Sequence, residues 1–491
     1  MIGRRVFGIE TEFGCFVRDE RVGTSETVVE AVKNYVFHKA RLGLIDLTAR
    51  DEAFEPARSG GFLINGGRLY IDAVGSHLEY ATPECASLFD IVAHEKAGQR
   101  IVYNTLKQMN WDERVSFHNN NIDHFAGHTF GCHENYLVRT DERLPSDWHK
   151  LILPFLTTRQ IFAGAGRVGG HRLEHAGFRP SLSEVADHPI DFIWVSNVYN
   201  VEPDPTVQYQ LSQRADHIVR ENASRVRFNR AIINPKWDSV YGYQNYQRLH
   251  LLFGEGNMSE YAAALKIGTT CLVLDLAEAR AIPNWLRLQD ALHTLKSISR
   301  DPTRKWIVTL LDGSTMSAID IQRAYLQLAQ KRFAGRDPET DWVLQEWEYV
   351  LDTLETDPEK LEDRIDWLIK LRILREYMAE TGAQWGDDAL HSLDLEYHNI
   401  NPEQGLYYAL QQMGEVKRVV DDVQIEAGMT TPPADTRACA RGFVIKRLAE
   451  RRYNRYYIDW DIVYVDRNRQ VDMRDPFNTY MREAERFVVM L

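Results

Sequence analysis

Acidic and other polar side chains recur at every second position in two short stretches of this chain. In residues 65–82, Leu69 and Ile71 alternate with Tyr70 and Asp72, the period of a strand with one apolar and one functional face. Tyr70 and Asp72 therefore point the same way. After a Gly-Ser turn, His77 and Glu79 repeat the two-residue spacing, so both pairs can face one space if the chain folds back beside itself. Residues 6–13 alternate as well, with Glu10 and Glu12 on one face across Thr11. Two carboxylates side by side repel unless protons or a cation lie between them, and magnesium takes its ligands from such oxygens. A half-buried edge strand with its polar face in water shows the same alternation, so spacing alone leaves both readings open.

The elements that must position these groups follow from longer-range periodicity. Helices are expected over residues 26–42 and, with an amphipathic pattern, 88–109; a charged loop containing Pro56 and Gly60-Gly61 should lead into the 65–82 strand. A polar loop begins at Asn119-Asn120-Asn121 and ends in Gly131-Cys132-His133-Glu134-Asn135. A strand from Arg248 to Gly254 precedes a helix capped by Asn257 or Ser259. Helical spacing over 319–333, 342–354 and 358–378 predicts a layer against the sheet. At 491 residues the chain exceeds what one hydrophobic core usually supports. A compositional shift after Gly405, the run Thr430-Thr431-Pro432-Pro433 and a strand-like segment at 456–465 divide it into a main unit, 1–415, and a small α/β unit, 416–491, which carries Arg437 and Arg441.

Composition narrows the function. A formal charge of −13 argues against a nucleic-acid partner, because duplex binding depends on Lys and Arg neutralising phosphates. No window is apolar enough to span a membrane and the start lacks a signal-peptide core, so a cytoplasmic protein is expected. The five cysteines are scattered without a Cys-x-x-Cys pair, which argues against a disulfide framework or structural zinc. Gly164-Ala165-Gly166-Arg167-Val168-Gly169 matches a dinucleotide-binding string but follows a helical pattern where a strand is needed. His171-Arg172-Leu173-Glu174-His175 spells an inverted zinc-peptidase motif without a long helix to align its histidines.

Several acids and Arg68 together can hold a magnesium-bound nucleotide triphosphate, with no glycine phosphate loop or kinase signature present. The strings Gly8-Ile9-Glu10-Thr11-Glu12-Phe13-Gly14, Gly131-Cys132-His133-Glu134-Asn135-Tyr136-Leu137, Leu211-Ser212-Gln213-Arg214-Ala215 and Gly256-Asn257-Met258-Ser259-Glu260 resemble the Pup ligase and Pup deamidase/depupylase family, glutamine-synthetase-like carboxylate-amine ligases. The resemblance runs to Asp475-Pro476-Phe477. Thr11, Phe13 and the Gly75-Ser76-His77 wording follow the ligase branch.

The resemblance implies an α+β fold, a glutamine-synthetase-like antiparallel sheet cradle backed by helices with a small C-terminal α/β domain. It implies Mg2+ on Glu10, Tyr70 and Glu79, with Glu12 lining the same pocket. ATP would meet Arg68, Thr82 and Trp460. Asp72 would be the catalytic base, although in the depupylase branch the matching aspartate attacks as a nucleophile, and both roles stay open. The implied reaction phosphorylates the C-terminal glutamate of Pup, or of a Pup-like modifier, and passes it to a lysine of a target protein. The alternatives are a depupylase or deamidase of the same fold, or a small-molecule carboxylate-amine ligase. Three departures from the family pattern point to a divergent member: an extra residue between Asp72 and Gly75, Asn234-Pro235-Lys236-Trp237-Asp238 in place of an Arg- and His-containing string, and an insertion at 171–205.

Overall fold

The computed structural model describes residues 5–48, 60–72, 77–124, 128–139, 147–173, 201–223, 230–236, 246–466 and 468–491. The expected Gly-Ser turn, most of the loop before residue 60 and the bulk of the 171–205 insertion lie outside them, as do Trp237 and Asp238.

The fold is α+β, built on one ten-stranded sheet. Its centre is β1 (Phe7–Val17), flanked by β5 (Leu78–Ala81) on one side and β7 (Cys132–Arg139) on the other. Beyond β5 come β4 (Arg68–Ile71), β3 (Gly60–Leu63) and β2 (Gly43–Ile45); beyond β7 come β14 (Tyr246–Leu251), β13 (Ala231–Lys236) and β12 (Arg220–Asn222). β6 (Val115–His118) pairs with the far end of β1. Every pairing is antiparallel except that of β12 with β13. Antiparallel strands allow one face to pack on helices while the other stays polar.

The covered face carries Ile9, Leu69, Leu78, Tyr80 and Cys132, all buried. Helix Leu88–Met109, found at the residues its amphipathic period predicts, lies over it. Gly98 sits where a Cβ would come within 2.2 Å of the Tyr80 ring, so glycine lets the helix approach β5. The helix N-terminus is satisfied from outside: Glu339 accepts from Ser87 Oγ at 2.7 Å and from the Leu88 amide at 3.1 Å. Helix Glu260–Glu278 lies deeper and is buried nearly all round, with the Ser259 hydroxyl accepting from the Ala262 amide.

The outer layer contains helices Ala318–Phe333, Pro338–Thr356 and Asp366–Thr381. The helix expected from 358 begins instead as a short turn at Pro358–Leu361 and restarts at Asp366. Asp366 is fully buried because its carboxylate accepts from the Met258 and Ser259 amides, Asn257 Nδ2 and Tyr397 Oη at 2.8 to 3.0 Å. Helix Ser25–His38 stops short of the expected residue 42.

Two short helices, Leu153–Thr158 and Gln160–Ala163, precede the glycine run from Gly164, so the strand-glycine-helix order of a dinucleotide site is absent there. His171 lies on a strand, β9 (His171–Leu173), paired with β10 (Val201–Pro203), and not on a zinc-binding helix. All five cysteines are free thiols.

A second, smaller core unites helix Ala438–Glu450, the three-stranded sheet β17 (Tyr457–Ile458), β18 (Ile462–Asp466) and β19 (Arg469–Asp472), and helix Met481–Val489. Phe62 of β3 joins this core, so the unit is anchored to the sheet. Helix Asp422–Thr430, which a division at 415 assigns to the terminal unit, rests on the Leu88–Met109 helix, where Gly428 abuts Ala97, and its Gly428 carbonyl accepts from Asn65 Nδ2 at 2.9 Å. No helix among the described residues is long and apolar enough to cross a membrane.

Candidate active site

The open face of the sheet gathers the alternating polar residues. Register pairs Glu12 with Glu79 and Glu79 with Tyr70, so these three lie side by side on β1, β5 and β4. On the other side of β1, Glu10 pairs with His133, and His250 pairs with Asn135. The expectation that both acidic stretches face one space is met by strand pairing: β4 and β5 form a hairpin whose second strand lies against β1.

Glu10 meets four polar partners. His133 Nδ1 lies 3.4 Å and His250 Nε2 3.5 Å from its Oε2; Asn135 Nδ2 donates to Oε1 at 3.1 Å, and an Arg248 guanidinium nitrogen is 3.7 Å from Oε1. Burial pushes the Glu10 carboxyl up, but the two histidines more than offset this and hold it well below the usual range. Glu12 behaves alike: burial opposes ionisation, while His77, whose Nδ1 is 2.8 Å from Oε2, brings it to about 2. His77 is itself braced by the Phe130 ring, with centroids 4.6 Å apart.

For Glu79 the hydrogen bond with Tyr70, which favours ionisation, is outweighed. Burial, followed by the charges of Glu10, Glu12 and Asp72, pushes its carboxyl well above the ordinary value. Burial and the Glu79 and Glu10 charges likewise keep the Tyr70 phenol protonated. Three carboxylates crowd adjacent strands here, Glu12 and Glu79 buried and Glu10 half-buried, a donor set that would suit a divalent cation. Among the described residues, Glu10, His133 and His250 offer ligand atoms within 4.8 Å of one another, and the His250 Nε2 atom is buried without a hydrogen-bond partner.

Beside Glu10 a cavity of about 310 Å3 opens between β1, the end of β5, β7 and the terminal unit; its walls include Gly8, Glu10, Thr82, Glu84, Arg248, Arg437, Asp459 and Trp460. Thr82 Oγ1 accepts from the Ile9 amide at 3.0 Å, which ties β5 to β1 at the cavity wall. Three of the seven expected site residues, Glu10, Thr82 and Trp460, line this space. Tyr70, Asp72 and Glu79 lie further along β4 and β5, where the Asp72 amide donates to the His77 carbonyl at 2.9 Å. Arg68 is not among the walls: it is ion-paired to buried Asp46 at 2.7 Å and stacked over the Tyr70 ring at 4.5 Å, and its Nε is buried without a hydrogen-bond partner.

Three strings of the sequence reading also meet. Asn121 accepts from the Gly256 amide at 2.7 Å and donates to the Phe130 carbonyl at 2.9 Å, while its own amide donates to Gln213 Oε1 at 2.6 Å. The asparagine-rich loop is thus a structural knot joining the Ser-Gln-Arg and Gly-Asn-Met-Ser-Glu segments behind the site.

Residues 5–464 match the family model described as Pup-ligase protein. The chain belongs to the Pup-ligase family. Among curated Pup-ligase relatives, the Pup--protein ligase of Kribbella flavida is 34% identical over 511 residues, covering 100% of both chains. That of Actinosynnema mirum is 35% identical over 504 residues, covering 99% of this chain and 100% of the relative. Two solved Pup-ligase structures align closely. The PafA chain of a complex with the prokaryotic ubiquitin-like protein Pup has a TM-score of 0.78 at 29% identity, covering 99% of this chain and 92% of its own. PafA in complex with ADP has a TM-score of 0.73 at 30% identity, covering 94% and 93%.

His133, Asn135, Arg248 and His250 were not singled out in the sequence as neighbours of Glu10. The signal was present as His-x-Asn in β7 and Arg-x-His in β14, each a two-residue period. Only the pairing of those strands with β1 and with each other reveals that all four face the same carboxylate.

Proposed function

We propose that this chain is an ATP-dependent ligase that joins the side-chain carboxylate of the C-terminal glutamate of Pup, or of a Pup-like protein, to lysines of target proteins. The observation that carries the reading is the full-length match to Pup ligases. The nucleotide-sized cavity opening beside the buried carboxylates supports it.

In this reading Thr82 and Trp460 hold the nucleotide at the cavity wall, and Arg68 answers phosphate charge from its place beside Tyr70. Magnesium suits the donors present: Glu10, Tyr70 and Glu79 would hold it, with Glu12, His133 and His250 alongside, and when bound it neutralises phosphate charge. A side-chain carboxylate oxygen of the modifier attacks the γ-phosphorus of ATP, ADP leaves, and a glutamyl phosphate forms. The lysine amine then attacks the acyl carbon, the C–O bond to phosphate breaks with its electrons going to phosphate, and Asp72 takes the amine proton. Activation is required because a carboxylate is a poor electrophile and a protonated amine a poor nucleophile.

A cytoplasmic site of action accords with the need for ATP. We place the boundary between the catalytic unit and the terminal unit near residue 415, with the Asp422–Thr430 helix of the terminal segment resting on the Leu88–Met109 helix. The test is a gel-shift assay with ATP, magnesium, a modifier ending in glutamate and a lysine-bearing acceptor. A new conjugate and stoichiometric ADP are expected; loss of a pre-formed conjugate with no new one would overturn the ligase reading in favour of an isopeptidase.

A further inference from the structure

Arg441 does not line the nucleotide-sized cavity, yet two of its wall residues, Glu84 and Trp460, converge on this one side chain together with the β3–β4 turn. The guanidinium is completely buried. Its Nε and one terminal nitrogen donate to the Gly66 carbonyl at 3.0 and 2.6 Å, in the turn that launches β4 with Arg68, Tyr70 and Asp72. It forms a two-point ion pair with Glu84, two residues past Thr82 at the end of β5. The terminal nitrogen that does not reach Gly66 also donates to the Trp460 carbonyl at 2.6 Å, and the guanidinium lies 4.8 Å over the Trp460 ring. The β4 turn, the end of β5 and the Trp460 loop thus share a single anchor.

The approach is built into the backbone. A Cβ on Gly66, where φ is +83°, would come within 2.9 Å of the Ala438 carbonyl, and one on Gly442 within 2.5 Å of the Ile64 carbonyl. Two glycines therefore let the Ala438–Glu450 helix ride directly on the β3–β4 turn, which places Arg441 within reach of it. Glu84 also binds Arg437, whose Nε donates at 2.7 Å, so the acid is shared by two arginines from one helix. Lysine could not replace Arg441, because a single ammonium lacks the planar fork that reaches a carboxylate and two carbonyls in different directions.

We propose that Arg441 is a positioning residue for the nucleotide: by holding the Trp460 carbonyl, Glu84 and the β3–β4 turn together, it sets the distance between the terminal unit's Trp460 and the Thr82 wall that ATP must bridge. The proposal rests on the cavity being the ATP site. Its consequence is that Arg441 governs ATP affinity through Trp460, and not the chemical step.

The experiment measures steady-state conjugation against ATP concentration for the full chain and for Arg441→Lys, Arg441→Met, Trp460→Ala and the double variant Arg441→Lys/Trp460→Ala. In Arg441→Lys the KM for ATP is expected to rise about tenfold with kcat at saturating ATP within about threefold, and the KM for the modifier unchanged. In the Trp460→Ala background the same lysine substitution is expected to change the ATP KM less than about twofold, because the residue it acts through is gone. An unchanged ATP KM in Arg441→Lys, or a full additive effect in the double variant, overturns the proposal. Should Arg441→Met fail to fold, Arg441→Lys and the double variant decide the matter. Failure of the wild-type chain to bind ATP at all, by calorimetric titration, refutes instead the assignment of the cavity.

Discussion

Asp72 closes β4 just beyond Tyr70, within electrostatic range of Glu79. A base there can take a proton only if its charge is not required to hold the nucleotide, so its removal should separate binding from turnover. Asp72→Asn is expected to keep ATP binding in calorimetry while conjugation falls by about two to four orders of magnitude, the usual contribution of a positioned proton acceptor; normal conjugation by the variant would refute the role. Glu10 makes a second, distinct prediction. It meets two histidines, an asparagine and an arginine, so it joins the proposed metal donors to the cavity. Chelation of divalent cations should abolish conjugation, and His250→Ala should raise the magnesium concentration needed for half-maximal rate. An identical magnesium titration in the variant would separate His250 from the cation.

At the level of elements, the Leu88–Met109 helix and β5 are held at a spacing that only glycine permits. A side chain at Gly98 must displace the Tyr80 ring, whose hydroxyl accepts from buried Asn65 at 3.0 Å. Overpacking of this kind costs about 1–3 kcal/mol, so Gly98→Leu is expected to lower the unfolding midpoint in a denaturant titration without changing the family of residues at the site. The helix itself was legible because an amphipathic stripe runs unbroken through 22 residues. The break between Leu361 and Asp366 was not, because helical spacing continues through it; the turn exists to bring one carboxylate under four donors from the 257–259 segment and Tyr397.

For the whole molecule, the join between the sheet and the terminal unit is electrostatic at its centre. Burial opposes ionisation of Glu84, but the charges and hydrogen bonds of Arg441 and Arg437 hold its carboxyl at about 2, against 4.5 ordinarily. A carboxyl lowered on folding contributes stability that is fully present above about 4.5 and is lost as pH falls toward 2. By linkage its full value is about 3 kcal/mol. Glu84→Gln should therefore lower the thermal midpoint at pH 7, and the gap between wild type and variant should narrow steadily as the pH is taken below about 4.5. A gap that stayed constant with pH would mean that the carboxylate's charge contributes nothing to the join.

Local sequence determined what depends on residue type and short spacing: the two-residue alternation that puts Glu10 with Glu12 and Tyr70 with Asp72, the Leu88–Met109 helix, the Ser259 cap and the strings that carry the family. These are visible because side-chain direction follows directly from backbone period. Tertiary structure alone decided which strands lie side by side, and with that the meeting of Glu10 with His133 and His250, the pairing of Arg68 with Asp46, and the convergence of Gly66, Glu84 and Trp460 on Arg441. Those contacts join residues from 19 to 375 positions apart, and no periodicity encodes them; they arise when hydrogen bonding between strands and burial of the sheet's apolar face select one register out of many.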